Sequence, residues 1–190
     1  MRSILIILFV ISLITGCAHS VEFRSPDMYQ YQTTVPLNAI FYMDQFWKDK
    51  WWSGRAYGSG VAHQWDVPTG RVVNQYANAY LKNGFNSFRE IESLARKPPH
   101  DILIKVTYMN FYMESQAAHC DLWFSIEDVL GRETFYKKYH EDGPSGLGKV
   151  ALGGVFVQKS VIRQSTHVVL ENIFKKLLAD IQANYRDWSK

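Results

Sequence analysis

The sequence predicts an α+β fold, a two-layer sandwich in which two helices, at about 69–83 and 160–184, lie on one face of a mostly antiparallel sheet. Both helical segments carry apolar residues at intervals of three and four, the period of an amphipathic helix. Between them, three β-like runs follow one another with short links, at 102–114, 119–127 and 132–139. Such a succession is typical of an antiparallel meander. Residues 36–190 therefore suffice for a single α+β domain with a real core.

The elements before the meander are predicted from alternation and from capping residues. The run 37–43 has apolar residues on both faces, which is typical of a central strand. The short run 63–67 is a second candidate strand. The first helix opens at Pro68-Thr69-Gly70 and ends before Gly84, which fits a C-cap. The chain then becomes extended again at 85–91.

The second predicted helix, 160–184, has a long apolar stripe formed by Ile162, Val169, Ile173, Leu177 and Ile181. The glycine-rich segment 142–154 before it is predicted to be a mobile hairpin loop. Part of that segment, Gly143 to Lys149, fits the phosphate-loop spacing of two glycines and a lysine. Val150 stands where the magnesium-binding hydroxyl is needed, so a nucleotide site is not predicted.

The N-terminus carries the most specific motif of the chain. Arg2 precedes an apolar run, Ile4 to Ile14, whose eleven residues would make a helix of roughly 17 Å, too short for a hydrocarbon core of ~30 Å. This length fits the apolar region of a signal peptide. The last residue of this run and the three that follow it, Ile14-Thr15-Gly16-Cys17, resemble the lipobox of bacterial lipoproteins. We accordingly expect a signal peptide at 1–16 and a flexible tether at 17–35.

The resemblance to lipoproteins implies a location. In that family the cysteine thiol is joined to diacylglycerol, the peptide is cut before the cysteine, and the new N-terminus is usually acylated, commonly with palmitate. Residue 18 is Ala rather than Asp, which in enterobacterial lipoproteins implies the outer membrane. A periplasm-facing outer-membrane anchor on Cys17, in a Gram-negative bacterium, is therefore expected. An ordinary secreted protein, or a buried N-terminal helix with a chance cysteine, remains open.

Composition and spacing favour neither an enzyme nor a metalloprotein. The formal charge is +3, and +2 without Arg2, which is too mild to indicate nucleic-acid binding. His119, Cys120 and Asp121 look like metal ligands, but neighbours on a strand point to opposite faces. Cys120 alternates with apolar residues and is expected to be buried. No catalytic residue, metal site or cofactor is predicted, and isolated acidic pairs such as Glu90 with Glu92 fit a solvated surface.

An aromatic cluster is the one candidate contact surface. Four large rings lie within seven residues, around two lysines: Phe46, Trp47, Trp51 and Trp52. The cluster is either an exposed patch suited to a membrane interface, a glycan or a partner protein, or a set of rings packed back onto the sheet.

The whole pattern from Pro36 to Asn184, with Cys17, is similar to small Gram-negative envelope lipoproteins of the YajG type, the lipopolysaccharide-assembly type and the auxiliary type of ABC lipid transporters. This resemblance implies a non-catalytic accessory or partner-binding component of envelope assembly or transport, with an envelope protein or lipid as partner. The aromatic cluster and the glycine-rich segment depart from that group. The alternative is a periplasmic hydrolase or binding protein that acts on cell-wall glycan or lipid.

Overall fold

The structure, a computed structural model, describes residues 18–55 and 64–188, with side chains of the last helix described from residue 157. The lipobox residues Ile14 to Cys17 lie outside this range. The described strands are β1 Ala18–Ser20, β2 Val35–Met43, β3 Trp52–Gly54, β4 Gln64–Val67, β5 Phe85–Ile91, β6 Ile102–Glu114, β7 Ala117–Asp128 and β8 Glu133–Asp142. The helices are α1 Gln45–Lys48, α2 Thr69–Leu81 with a 3-10 turn at Lys82–Gly84, and α3 Leu147–Trp188.

The predicted α+β class is confirmed, and the main sheet has five strands in the order β5-β2-β6-β7-β8. Its longest ladders, β6 with β7 and β7 with β8, are antiparallel, as expected of a meander. The interior strand β2, however, lies between β5 and β6 and runs parallel to both. The parallel pairing arises because α2 carries the chain back along the sheet before β5 begins.

The core lies between this sheet and the two long helices, both on one face. It is built from the inward residues of the strands, from α2 and from the apolar stripe of α3. The inward residues of β7 illustrate this alternation, since Cys120, Leu122, Phe124 and Ile126 have no exposed surface. Burial of Cys120 is thereby confirmed.

The two ends of the main sheet serve as reference points below. At the upper end, β6 and β7 are joined by a two-residue hairpin at Ser115 and Gln116, whose φ angles of 49° and 64° fit a type I′ turn. At the lower end, β7 and β8 are joined by a turn at 129–132, in which Val129 and Leu130 are exposed.

The structure corrects the expected tether. Residues 18–20 form β1, the parallel neighbour of β4 in a second, three-stranded sheet of order β1-β4-β3. Val21 is fully buried, and the Tyr29 ring stacks on Tyr80 with centroids 5.4 Å apart. The backbone N–H of Tyr29 donates to Ala79 O at 3.0 Å. The buried apolar and aromatic side chains of this segment hold it along α2, although it shows no regular period in sequence.

The expected hairpin loop at 142–154 is wrong, because α3 already begins at Leu147. Glycine costs about 1 kcal/mol per residue in a helix interior, which favoured the loop in sequence terms. Extending an existing helix is far easier than nucleating one, so the strongly apolar part from 160 onward supports the extra turns. Within the residues that the structure describes, none of the helices is both long and apolar enough to cross a membrane.

Candidate functional site

The four clustered aromatic residues of the sequence prediction do not form one patch. Phe46 and Trp51 are exposed, at 68% and 53% of their surface. Trp47 and Trp52 are half-buried against the core. Trp52 turns inward and meets Phe111 edge-on, with centroids 6.3 Å apart. Two of the four side chains are therefore exposed, and the other two pack back toward the core.

Phe46 and Trp47 instead begin a row of five rings that starts on α1, beyond the end of β2, and continues onto the face of the main sheet opposite the helices. Successive centroids are 4.9, 5.8, 5.2 and 5.9 Å apart, within the range of favourable aromatic contacts. Tyr108 and Tyr136 expose 41% and 50% of their surface. We call this set the aromatic row; its members are Phe46, Trp47, Tyr108, Trp123 and Tyr136.

Strand geometry places the last three rings on the same face. Trp123 lies between the buried residues Leu122 and Phe124, so alternation points it away from the helices. Tyr136 pairs with Ser125, two residues further along the same face of β7. Tyr108 reaches this face through a register shift between Val106 and Tyr108, the signature of a β-bulge. Without that shift Tyr108 would share the inward face of Val106.

Three contacts position α1, which carries the first two rings. Asp44 caps the helix by accepting from Phe46 N at 2.8 Å. Lys48 pairs with Glu90, whose carboxylate also accepts from the side-chain amides of Asn74 and Asn78 on α2.

The third contact is a close backbone approach between α1 and the start of α2. The N–H of Gly70 donates to Lys50 O at 2.9 Å, and Thr69 Oγ1 donates to the same oxygen at 2.9 Å. A Cβ on Gly70 would lie only 1.9 Å from Trp47 O. Glycine is therefore the residue that lets α1 approach this closely.

Ionic side chains flank the row toward the upper end. Asp121 Oδ1 lies 2.7 Å from His140 Nδ1 and 3.2 Å from Lys138 Nζ. Asp142 Oδ1 lies 2.6 Å from His119 Nδ1 and 3.1 Å from His140 Nε2. His119 projects onto this face and its ring stacks on Tyr112, with centroids 4.7 Å apart. His119 and the buried Cys120 thus point to opposite faces.

Both carboxyl groups of this flank are held in the charged form. Burial alone would raise the pKa of Asp121, but hydrogen bonds from His140 and Lys138 outweigh it and lower that pKa. The hydrogen bond from His119 likewise holds the pKa of Asp142 below its usual value. Within residues 18–55 and 64–188, no three His, Cys, Asp or Glu side chains are arranged to hold a metal ion.

Comparisons with known proteins add no functional information. No protein-family model matches the chain, and no curated protein matches it. Among solved structures, one described only as the crystal structure of an uncharacterized protein is 12% identical, covers 86% of this chain and 99% of that chain, and has a TM-score of 0.44. A likeness of that degree carries no argument.

Proposed function

We propose that this protein is a non-catalytic, lipid-anchored accessory protein of the bacterial envelope, attached to the outer membrane through Cys17 and binding an envelope protein through the aromatic row. The observation that carries the binding part is the row itself, five rings in continuous contact, of which Tyr108, Trp123 and Tyr136 lie on the sheet face opposite the helices. Tyrosine and tryptophan are enriched where proteins bind one another, because they offer large rigid surfaces at low entropic cost.

The anchor part of the proposal rests on the sequence Ile14-Thr15-Gly16-Cys17 behind a short apolar run. A cysteine carrying diacylglycerol and an N-terminal acyl chain holds a protein stably at a bilayer, whereas one chain holds it only marginally. Replacement of Cys17 by Ser is expected to abolish palmitate labelling and leave an uncleaved precursor. A Cys17→Ser variant that is still labelled and still fractionates with the outer membrane would overturn the anchor.

The ionisation of the flanking carboxyl groups supports a binding role over a hydrolytic one. A glycoside hydrolase needs one carboxyl group with a raised pKa to protonate the leaving oxygen. The pKa values of Asp121 and Asp142, the carboxyl groups paired beside the row, are both lowered by their partners. Neither side chain is suited to act as a general acid near neutral pH.

Site-specific crosslinking in intact cells tests the binding surface. A photo-reactive phenylalanine analogue replaces Tyr136 in the row, and Leu130 in the lower turn serves as the matched control, since it is even more exposed, at 73%. We expect a discrete adduct with an envelope protein from position 136 alone, weakened when Tyr108→Ala is added. Equal adducts from both positions, or no adduct from position 136, would contradict the proposal.

A cell-wall glycan is the second candidate ligand. Exposed rings beside hydrogen-bonding groups such as Lys138 and His140 suit sugars, which offer apolar ring faces and hydroxyls together. Sedimentation of the domain from residue 18 onward with purified peptidoglycan tests it. Binding that Tyr108→Ala and Tyr136→Ala reduce at least tenfold, without an in-cell protein adduct, would replace the protein partner by glycan.

A further inference from the structure

We infer that the three-stranded sheet is the membrane-facing part of the protein, so that the upper end rests against the bilayer and the lower turn stands far from it. This inference rests on the lipidation of Cys17 proposed above. It specifies which surface meets the lipid and how the domain is oriented, neither of which follows from an anchor alone.

The first step is that no flexible linker separates Cys17 from the folded domain, since β1 begins at the next residue. Ala18, bonded directly to Cys17, is already the first residue of β1 and pairs with Gln64. The strand is held firmly, since the His19 and Trp65 rings lie 5.2 Å apart and Val21 N donates to Asp66 O at 2.9 Å. Consecutive Cα atoms are ~3.8 Å apart, whereas an 18-residue flexible tether would allow an average reach of roughly 23 Å.

The second step is the end of the main sheet at which β1 begins. Lys50 Nζ contacts Met109 O at 3.1 Å, and two residues later Trp52 meets Phe111, so the chain climbs along β6 as it enters β3. β4 runs antiparallel to β3, and β1 runs parallel to β4. Ala18 therefore lies where β3 ends, toward the upper end.

The path of the following segment agrees with this direction. Tyr29 is bonded to Ala79, and its carbonyl oxygen accepts from Asn83 Nδ2 at 3.1 Å, both near the end of α2. The segment then enters β2, whose first residue, Val35, pairs with Phe85. The chain thus descends from Ala18 to the lower part of the sheet. Two independent sets of contacts therefore place Ala18, the residue next to Cys17, at the upper end.

The length of the strands sets the scale of the resulting orientation. β6 has 13 residues, so at ~3.3 Å per residue it spans ~40 Å from the upper to the lower end. The turn carrying the exposed Val129 and Leu130 is then at the end of the β6–β7 pair that points away from the bilayer. The aromatic row crosses the sheet between the two ends and faces sideways, where a bilayer at the upper end does not cover it.

Two reporter positions at opposite ends of the β6–β7 pair test the orientation. Glu114→Cys marks the upper end and Leu130→Cys the lower end, and both residues are exposed. Cys120 is fully buried and Cys17 is blocked by lipid, so a fluorophore reacts at the introduced thiol alone. The lipidated protein is placed in phosphatidylethanolamine–phosphatidylglycerol vesicles that contain a nitroxide-headgroup lipid as quencher.

We expect quenching at position 114 to exceed quenching at position 130 at least threefold. Inserting 20 residues, Ala followed by Gly-Ser repeats, between Cys17 and Ala18 keeps alanine after the cysteine and should largely abolish the difference. Equal quenching in the lipidated parent protein, or stronger quenching at position 130, would overturn the orientation while leaving the anchor intact. Loss of the anchor itself is detected separately, by mass spectrometry of Cys17 and by flotation of the vesicles.

Discussion

Gly70→Ala is expected to destabilise the protein, whereas replacing glycine by alanine within a helix ordinarily stabilises it. This makes the variant a stringent test of how the aromatic row is positioned. Alanine is favoured over glycine by about 1 kcal/mol within a helix, so propensity alone predicts a more stable protein. In this structure the new methyl group would lie 1.9 Å from Trp47 O and 2.4 Å from Lys48 O. Both oxygens belong to backbone, so α1 has to move away by more than an ångström.

The expected magnitude combines three terms. Overpacking of this kind costs about 1–3 kcal/mol. Displacement of α1 also weakens the two hydrogen bonds that Gly70 N and Thr69 Oγ1 donate to Lys50 O, each worth about 1 kcal/mol. Against the gain of about 1 kcal/mol from propensity, a net loss of ~2 kcal/mol in the free energy of unfolding is expected.

Urea unfolding of the domain from residue 18 onward measures this change, and near-UV circular dichroism reports whether the contact of Trp47 with Tyr108 is disturbed. Arg71→Ala is the matched control, because Arg71 is the exposed neighbour on α2 and its replacement should change stability by less than ~0.5 kcal/mol. A Gly70→Ala variant that is as stable as the parent, with an unchanged aromatic spectrum, would refute the close approach of α1 to α2.

Two further predictions concern titratable groups. Burial alone would raise the pKa of Glu90, but hydrogen bonds from Lys48, Asn78 and Asn74 lower it below its ordinary 4.5. The ionised Glu90 therefore stabilises the folded protein fully above pH 4.5, and this stabilisation is lost as the pH falls through the lowered pKa. Glu90→Gln should therefore flatten the fall in melting temperature below pH 4.5, and an unchanged fall would contradict this. Burial raises the pKa of the Cys120 thiol, so iodoacetamide should modify Cys120 only in denatured protein; mass spectrometry showing rapid modification of the native protein would disprove its burial.

Local signals in the sequence predicted the helices of this fold well where they were strong. The helix from Thr69 ends at Leu81, close to the end that its apolar spacing indicated. The predicted C-cap at Gly84 is wrong, because Gly84 belongs to the 3-10 turn that follows and does not adopt a positive φ. The segment 21–34 gave no such signal, because it packs as an irregular chain through scattered residues such as Val21 and Tyr29. Its apolar and aromatic content was visible in the sequence. Its partners on α2 and α3 were not, because they are more than 40 residues away.

The aromatic row was hidden from sequence for a similar reason. Alternation along β7 places Trp123 opposite Cys120 and Leu122, and this much could be read from the chain. The same rule applied to β6 puts Tyr108 on the inward side with Ile104 and Val106, and only the bulge before it reverses that direction. A bulge depends on how two strands register, which single-strand periodicity does not contain.

The first part of the row depends on a contact more remote still. Trp47 reaches Tyr108 because α1 sits against the start of α2, and Gly70 is what allows that approach. A substitution at Gly70 would therefore weaken partner binding without touching the binding face. Tyr136→Ala should have the opposite profile, since it removes a half-exposed ring at the far end of the row and leaves the α1–α2 contact intact. We expect Tyr136→Ala to lose partner binding and keep its stability, and Gly70→Ala to lose both. This result would separate the surface that recognises the partner from the α1–α2 contact that positions that surface.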